Sequence, residues 1–222
     1  MNNTGQNYYF KGFIETSFIE WPGKIASVVF LPNCNFRCSW CHNMPLVLHP
    51  ETLEDIPITD VINRINELSD WADGVVITGG EPTVSANLPE IIKMFIHHNI
   101  PVKLDTNGSR PDVLEDLLTR NLLSGISMDI KAPLKTKKYS AVAGVPVDIQ
   151  VIKQSVQLII HSGIWYEFRT TVLEDFHTDD DIEQIQQFLR DIAGTTPLQR
   201  PLKLQRGGRS ATGCTAAFKV QG

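Results

Sequence analysis

The stretch that runs from Ile25 to Cys41 reads I-A-S-V-V-F-L-P-N-C-N-F-R-C-S-W-C. Its first seven residues form a short, largely apolar run with β-branched side chains, which predicts a buried strand. The loop that follows carries Cys34, Cys38 and Cys41, three of the chain's four cysteines. Because α/β proteins bind ligands where their strands end, a loop of this composition directly after a strand is a candidate functional site.

Strand-like and helix-like segments alternate along the rest of the chain. This alternation predicts a parallel sheet with helices outside it, and about six β-α units are too few to close an eight-unit barrel. A doubly wound sheet and a curved, partly open barrel both fit. The predicted strands are 25–31, 74–78, 101–106, 125–130, 164–172 and 201–204, and the predicted helices are 58–68, 88–98, 111–120, 148–161 and 179–190.

Composition narrows the class of protein. The 222 residues are 42% hydrophobic and 20% charged, which is typical of a globular domain, and the net charge of −5 argues against nucleic acid as the main partner. Because there is no apolar run of about 20 residues and no secretory signal, we expect a cytoplasmic protein without a membrane partner. Disulfides are rare in that compartment, so clustered cysteines there more often bind metal or act in catalysis.

The number of clustered cysteines indicates which kind of metal site to expect. A structural zinc site needs four ligands, and His42, the nearest fourth candidate, directly follows Cys41 and is awkwardly placed. A four-iron cluster also accepts thiolates, and three of them leave one iron open to bind something else. The count of three favours an open cluster, while structural zinc, a disulfide and unrelated cysteines remain the alternatives.

Other polar segments also stand at the ends of predicted strands. They are T-G-G-E-P (Thr78–Pro82), D-T-N-G (Asp105–Gly108) and M-D-I-K (Met128–Lys131), and Arg169 lies within the fifth strand. The ends of parallel strands meet at one edge, so these segments are expected on a common rim. Each segment also has an ordinary structural interpretation: tight turns, an ion pair between Asp129 and Lys131, or an arginine that bridges to a helix.

The cysteine spacing, with Trp40 as the aromatic residue before the last cysteine, resembles the signature of the radical S-adenosylmethionine (SAM) enzymes. The resemblance implies a partial, open (β/α)6 barrel and a [4Fe-4S] cluster on Cys34, Cys38 and Cys41. In that family the open iron binds SAM, and one electron cleaves SAM to methionine and a 5′-deoxyadenosyl radical. The remaining residues that the resemblance assigns to the cofactors are Trp40, Asn43, Gly79, Gly80, Glu81, Asp105, Asn107, Asp129, Lys131 and Arg169.

In some relatives, carboxylates at the positions of Asp105 and Asp129 help to hold a monovalent cation beside SAM. The resemblance therefore extends to a cation at this place. The Gly79-Gly80-Glu81-Pro82 segment resembles the family's second motif, which binds the amino group of SAM, and an amine needs acceptors of this kind.

Within the superfamily, the chain most resembles activating enzymes of glycyl-radical enzymes. Gly12–Lys24 (G-F-I-E-T-S-F-I-E-W-P-G-K) resembles that group's approach to the first strand, except that Glu20 replaces the usual aspartate. The activating protein of anaerobic ribonucleoside-triphosphate reductase fits best, which implies that reductase as partner and flavodoxin or ferredoxin as electron donor. Open alternatives are an activase of the pyruvate formate-lyase type, 7-carboxy-7-deazaguanine synthase and, outside the family, an iron–sulfur electron carrier or zinc-binding module.

The resemblance predicts one radical SAM domain over 1–222, with a core of about 12–205. The tail over 206–222 is rich in small residues and departs from the family pattern, so its order and role stay open. Cys214 lies in that tail, and we do not expect it to be a fourth ligand.

Overall fold

The computed structural model describes residues 7–68 and 71–206. None of the helices within those ranges combines the length and the hydropathy that a membrane crossing needs. The strands are β1 (Tyr9–Phe10), β2 (Phe13–Ser17), β3 (Ala26–Leu31), β4 (Ile56–Pro57), β5 (Gly74–Gly79), β6 (Val102–Thr106), β7 (Gly125–Asp129), β8 (Trp165–Val172) and β9 (Lys203–Arg206). The helices are α1 (Met44–Leu48), α2 (Ile58–Glu67), α3 (Leu88–His97), α4 (Pro111–Thr119), α5 (Thr136–Ala143), α6 (Ile149–Ile160) and α7 (Asp179–Ala193).

Seven strands form one sheet in the order β2-β3-β5-β6-β7-β8-β9. Strands β3, β5 and β6 run parallel to one another, as do β7, β8 and β9, whereas β2 is antiparallel to β3. Strands β1 and β4 pair separately. The sheet confirms the predicted α/β fold class, a partial, open (β/α) barrel.

Contacts divide the described chain into two compact units. The first unit contains 7–34, 43–68 and 71–104, and the second contains 35–42 and 105–206. The cysteine loop is shared, because Cys34 belongs to the first unit while Cys38 and Cys41 belong to the second. The prediction of a single domain over the whole chain stays a prediction.

The first unit is built on the apolar run that begins the cysteine segment. Strand β3 is buried along nearly its whole length, as a strand between two neighbours requires. Helix α2 buries Ile58, Val61, Ile62 and Ile65, the face that the sequence pattern predicts. Trp21, which is 1% exposed, lies beside Gly74 at the start of β5, where a Cβ would be 3.0 Å from the indole.

Several elements are absent from the sequence prediction, for physical reasons. Strand β2 lies at the edge of the sheet and its middle residues are exposed, so it lacks an apolar pattern. Helix α5 has only three buried side chains and begins within a run of lysines, which sequence alone suggests to be solvated. In the predicted elements, by contrast, the boundaries differ from the structure by at most a few residues.

A capping box begins α7 in the second unit. Thr178 Oγ1 accepts a hydrogen bond from the Asp181 N–H (3.3 Å), and Asp181 Oδ2 accepts one from the Thr178 N–H (2.7 Å). The same carboxylate pairs with Lys138 of α5, so it joins two helices. Burial alone would raise the pKa of Asp181, but the Lys138 and Thr178 hydrogen bonds outweigh burial and lower the pKa to about 2.

We therefore expect Asp181→Asn to lower the free energy of unfolding by about 1–2 kcal/mol near neutral pH. Because the folded pKa lies below the unfolded value of about 4, this contribution is complete above about pH 5 and disappears as the pH falls towards 2. Urea unfolding across that range measures it. Asp180→Asn, an exposed neighbour in the same helical turn, is the control. A wild-type advantage over Asp181→Asn that stays constant from pH 6 to pH 2 would contradict the prediction.

Candidate active site

Four charged side chains that the sequence places on three neighbouring strands or just beyond them meet in the second unit. Arg169 of β8 stands in register with Asp129, the last residue of β7, and its Nε donates to Asp129 Oδ1 at 2.9 Å. The Arg169 Nη1 donates to Asp105 Oδ2 of β6 at 3.1 Å. Lys131 Nζ donates to the second oxygen of Asp129 at 2.9 Å. Two cations and two carboxylates therefore form one charge-balanced network.

Mutual neutralisation allows these groups to lie largely out of water. The Arg169 and Asp105 side chains are 9% and 6% exposed, and Lys131 and Asp129 are 16% and 28% exposed. Burial opposes the charged form of Asp129, but Lys131 and Arg169 outweigh it and hold the Asp129 pKa well below its usual range. Burial likewise opposes the charge on Lys131 and Arg169, but the neighbouring carboxylates raise both pKa values. Asp129, Lys131 and Arg169 are therefore all charged around neutral pH.

These contacts bear on the alternatives left open by the sequence. The ion pair between Asp129 and Lys131 exists, and Arg169 bridges carboxylates on two other strands. The monovalent cation beside Asp105 and Asp129 stays a prediction; Arg169 and Lys131 already supply positive charge to these two carboxylates. A carboxylate ligand such as that of SAM could instead add to the two cationic side chains.

The cysteine loop of the second unit is held by helix α5. The Arg37 N–H donates to the Ala143 carbonyl at 2.8 Å, and the Cys38 thiol lies 3.8 Å from the same oxygen. Gly144 follows with φ +71°, and a Cβ there would lie 2.0 Å from the Arg37 carbonyl oxygen. Only glycine permits both this backbone conformation and this close approach. The end of α5 thus sets the position of the second cysteine.

Side chains beyond α5 hold the same loop. Asn107, at the end of β6, donates from Nδ2 to Asn35 Oδ1 (3.0 Å), and Asn35 in turn donates to Ser109 Oγ (2.7 Å). Trp40 is 8% exposed and packs on Phe176 with ring centroids 5.6 Å apart. Asn107 and Trp40, both predicted to serve the cofactors, therefore position the cysteine loop.

The three cysteines suit an iron–sulfur cluster by donor type. Cys38 is buried, and Cys34 and Cys41 are partly exposed. Burial raises the pKa of Cys38, and a cluster held by this thiol would have to displace its proton. Among the residues described, no three Cys, His, Asp or Glu side chains are grouped around a single metal-ion position. A cluster binds its thiolates through separate irons, so its ligands need not converge on one point. Cys214 lies outside the described residues.

In the first unit, the second motif packs against the approach to Cys34. Gly79 has φ +126°, and a Cβ on it would lie 2.2 Å from the Leu31 carbonyl oxygen. A Cβ on Gly80 would lie 1.8 Å from the Asn33 carbonyl oxygen and 3.3 Å from Cys34 Cβ. The glycines are therefore required by the chain's own backbone at this crossing.

Asn43 and Glu81, the remaining predicted residues, also make contacts within the first unit. Asn43 Nδ2 donates to the Gly79 carbonyl at 2.6 Å. Glu81, which is 1% exposed, accepts a hydrogen bond from the Thr83 N–H at 3.1 Å and so caps the short turn that follows. Their proposed contacts with SAM stay predictions.

Sequence reasoning missed four residues that hold this site: Asn35, Tyr139, Gly144 and His177. Gly144 stands directly after an eight-residue helix, so its C-terminal position could have been predicted as a left-handed cap. Asn35 and His177 carry no local signal, because their partners Asn107 and Lys131 lie 72 and 46 residues away; the hydroxyl of Tyr139 accepts a hydrogen bond from the Lys131 N–H, eight residues earlier in the chain.

The comparisons with known proteins bear on this arrangement of a cysteine loop and strand-end charges. The family model described as "Radical SAM superfamily" matches residues 28–189. The chain belongs to the radical SAM superfamily. It is therefore an enzyme of radical chemistry whose cofactors are a [4Fe-4S] cluster and SAM.

Individual radical SAM proteins match to different extents. "Putative glycyl-radical enzyme activating enzyme MJ1227" of Methanocaldococcus jannaschii is 32% identical over 185 residues, or 81% of this chain and 75% of that protein. The 7-carboxy-7-deazaguanine synthase of Aquifex aeolicus is 32% identical over 83 residues, or 36% of this chain and 34% of the synthase. Streptococcus suis SuiB bound to SAM shares the fold, with a TM-score of 0.60 and 17% identity over 85% of this chain and 44% of SuiB.

We expect Gly144→Ala to impair cluster assembly, because a methyl group there would push the Arg37 carbonyl and with it Cys38. Gly163→Ala is the matched control, since Gly163 has φ +76° but open space around its Cβ position. Both variants have the same backbone strain, but only Gly144→Ala should bind the cluster about 10-fold more weakly. Iron and sulfide analysis after anaerobic reconstitution measures this difference, and equal contents in the two variants would contradict it.

We expect Arg169→Met to destabilise the cluster-free protein by about 3–5 kcal/mol, because it removes the cation that neutralises buried Asp105. Adding Asp105→Asn to this variant should recover part of the loss. Urea unfolding of the single and double variants gives the coupling between the two side chains. A loss below about 1 kcal/mol for Arg169→Met would show that the network does not support the fold.

Proposed function

We propose that this radical SAM enzyme is an activase that generates a glycyl radical on a partner enzyme. The observation that carries the proposal is the extent of its similarity to the M. jannaschii activating-enzyme homologue, which covers 81% of this chain and 75% of the relative. The radical SAM family model, which matches residues 28–189, includes the cysteine loop and the ends of all predicted strands but the last. The match to the deazaguanine synthase covers only 36% of the chain.

In this proposal each group of residues has a defined task. Cys34, Cys38 and Cys41 hold the cluster, which when bound supplies one electron for the cleavage of SAM to methionine and a 5′-deoxyadenosyl radical. Lys131 and Arg169 bind the carboxylate of SAM. Abstraction of one hydrogen atom from a glycine Cα then leaves 5′-deoxyadenosine and a glycyl radical, so the chain itself need provide no general base.

The other predicted cofactor-binding residues also have tasks in this proposal. Glu81 and the backbone at Gly79 and Gly80 provide acceptors for the amino group of SAM, and Asn43 orients Gly79. Asp105 and Asp129 keep the two cationic side chains in position, while Asn107 and Trp40 keep the cysteine loop in position.

We take anaerobic ribonucleoside-triphosphate reductase as the first partner to test, with flavodoxin or ferredoxin as electron donor in the cytoplasm. The argument for this partner is the resemblance of the Trp21–Lys24 segment and the strand after it. That segment forms a turn, closed by the hydrogen bond from the Lys24 N–H to the Trp21 carbonyl at 2.9 Å, and it precedes β3, whereas the cysteine loop follows β3. The turn lies at the end of β3 that is away from the cysteines. It is therefore a stronger argument for the family than for this particular partner.

The test is to reconstitute the cluster anaerobically, reduce it with dithionite and add SAM with each candidate substrate. We expect 5′-deoxyadenosine and a glycyl-radical EPR doublet with the anaerobic reductase. Cys38→Ser should abolish both products, whereas Cys214→Ser should leave them unchanged because Cys214 is not a proposed ligand.

Other results identify the alternatives. If only a formate-lyase-type enzyme gave the doublet, the activase function would stand but the partner would be that enzyme. Conversion of carboxytetrahydropterin to the deazaguanine, without a doublet on any glycyl-radical enzyme, would overturn the activase proposal. Binding of zinc, or of a cluster that does not cleave SAM, would instead support the alternatives of an iron–sulfur electron carrier or a zinc-binding module.

A further inference from the structure

The turn that follows β8 in the second unit contacts both the cysteine loop and the segment that contains Lys131. It begins at Leu173, whose carbonyl accepts hydrogen bonds from the Phe176 N–H (3.0 Å) and the His177 N–H (2.8 Å). Phe176 packs on Trp40 of the cysteine loop. His177 reaches instead to Lys131, so this turn joins two segments that are distant in the sequence.

His177 is held by hydrogen bonds on both ring nitrogens. Its Nδ1 accepts from the Leu173 N–H at 3.1 Å, and its Nε2 lies 2.8 Å from the Lys131 carbonyl oxygen. The residue is 7% exposed. Since an N–H must donate to Nδ1 and a carbonyl can only accept, the partners assign the neutral imidazole with its proton on Nε2. One ring nitrogen thus maintains the turn, while the other fixes the backbone of Lys131.

The peptide groups of Lys131 are held on both sides by side chains. Its N–H donates to the Tyr139 hydroxyl at 3.3 Å, and its carbonyl accepts from His177 at 2.8 Å. Lys131 lies beyond the end of β7, where ladder hydrogen bonds no longer fix the backbone. A long lysine side chain has many rotamers, so the direction in which it leaves the backbone decides what its ammonium can reach.

We propose that His177 is a positioning residue for SAM binding, which fixes the Lys131 backbone so that the Lys131 ammonium lies ready for the carboxylate of SAM. This inference rests on the SAM-binding role proposed for Lys131, but it does not depend on which partner is activated. His177 contacts no reacting atom in this account. Its effect on SAM passes entirely through Lys131.

A pair of amide substitutions separates the two hydrogen bonds of His177. An asparagine amide reaches about as far as Nδ1, so His177→Asn can keep the bond to Leu173 but loses the bond to Lys131. A glutamine amide reaches about as far as Nε2, so His177→Gln can keep the bond to Lys131 but loses the bond to Leu173. A residue with only a structural role would give both variants the same SAM affinity, whatever their stability.

The experiment measures SAM binding by calorimetry to the reconstituted, unreduced protein, in which no turnover occurs. Loss of one hydrogen bond predicts an approximately 5–10-fold higher Kd for His177→Asn, and His177→Gln should stay within about twofold of wild type. Asp175→Asn, an exposed change in the same turn, should leave the Kd unchanged. Hydrogen–deuterium exchange of the cluster-free protein provides a second readout: peptides that contain Lys131 should exchange faster in His177→Asn alone.

A double-variant cycle tests whether the effect passes through Lys131. Lys131→Met should raise the Kd at least as much as His177→Asn, and the two changes together should raise it no further. Equal Kd values for the Asn and Gln variants, or full additivity with Lys131→Met, would overturn the proposal. An unchanged Kd for Lys131→Met would also overturn the proposal, because Lys131 would then have no role in SAM binding. The glycyl-radical doublet would still test the activase function separately.

Discussion

The Arg169 guanidinium between Asp105 and Asp129 is the interaction on which the second unit's part of the site depends. The guanidinium offsets the cost of burying the two carboxylates, and the carboxylates offset the cost of burying the arginine. Lys131 completes the balance from the other side of Asp129. The network brings together residues from three neighbouring strands and gives a fixed pair of positive charges, which is the form in which an anionic group is best bound.

The cysteine loop is also held in place by a few specific contacts. Its regular structure is minimal, so its position depends on partners outside it: the Ala143 carbonyl, the Asn107 side chain and the Phe176 ring. Phe36 and Trp40 bury their side chains and so anchor the loop to the second unit. A loop held at several separate points presents its donors in a defined arrangement before the metal arrives, which lowers the cost of ordering them on binding.

Residues that a family signature assigns to ligands also have structural tasks here. Gly79 and Gly80 pass against the chain's own backbone, Glu81 caps a turn and Asn107 holds the cysteine loop. Substitution at such positions therefore alters fold and cofactor binding together. For this reason the informative variants are matched pairs, such as Gly144 and Gly163, in which the local strain is equal and only one long-range contact differs.

The sequence alone determined the strand–helix alternation, the three-thiol loop and the polar strand ends, because each is a local pattern of period or spacing. It also carried the family resemblance. Only the tertiary structure decided that Arg169 bridges two carboxylates, that Ala143 and Gly144 hold Cys38 from 105 residues away, and that His177 supports Lys131 across 46 residues. Such partners are chosen by how strands and helices pack in space, and neither hydrophobic period nor residue spacing records which distant backbone groups will meet.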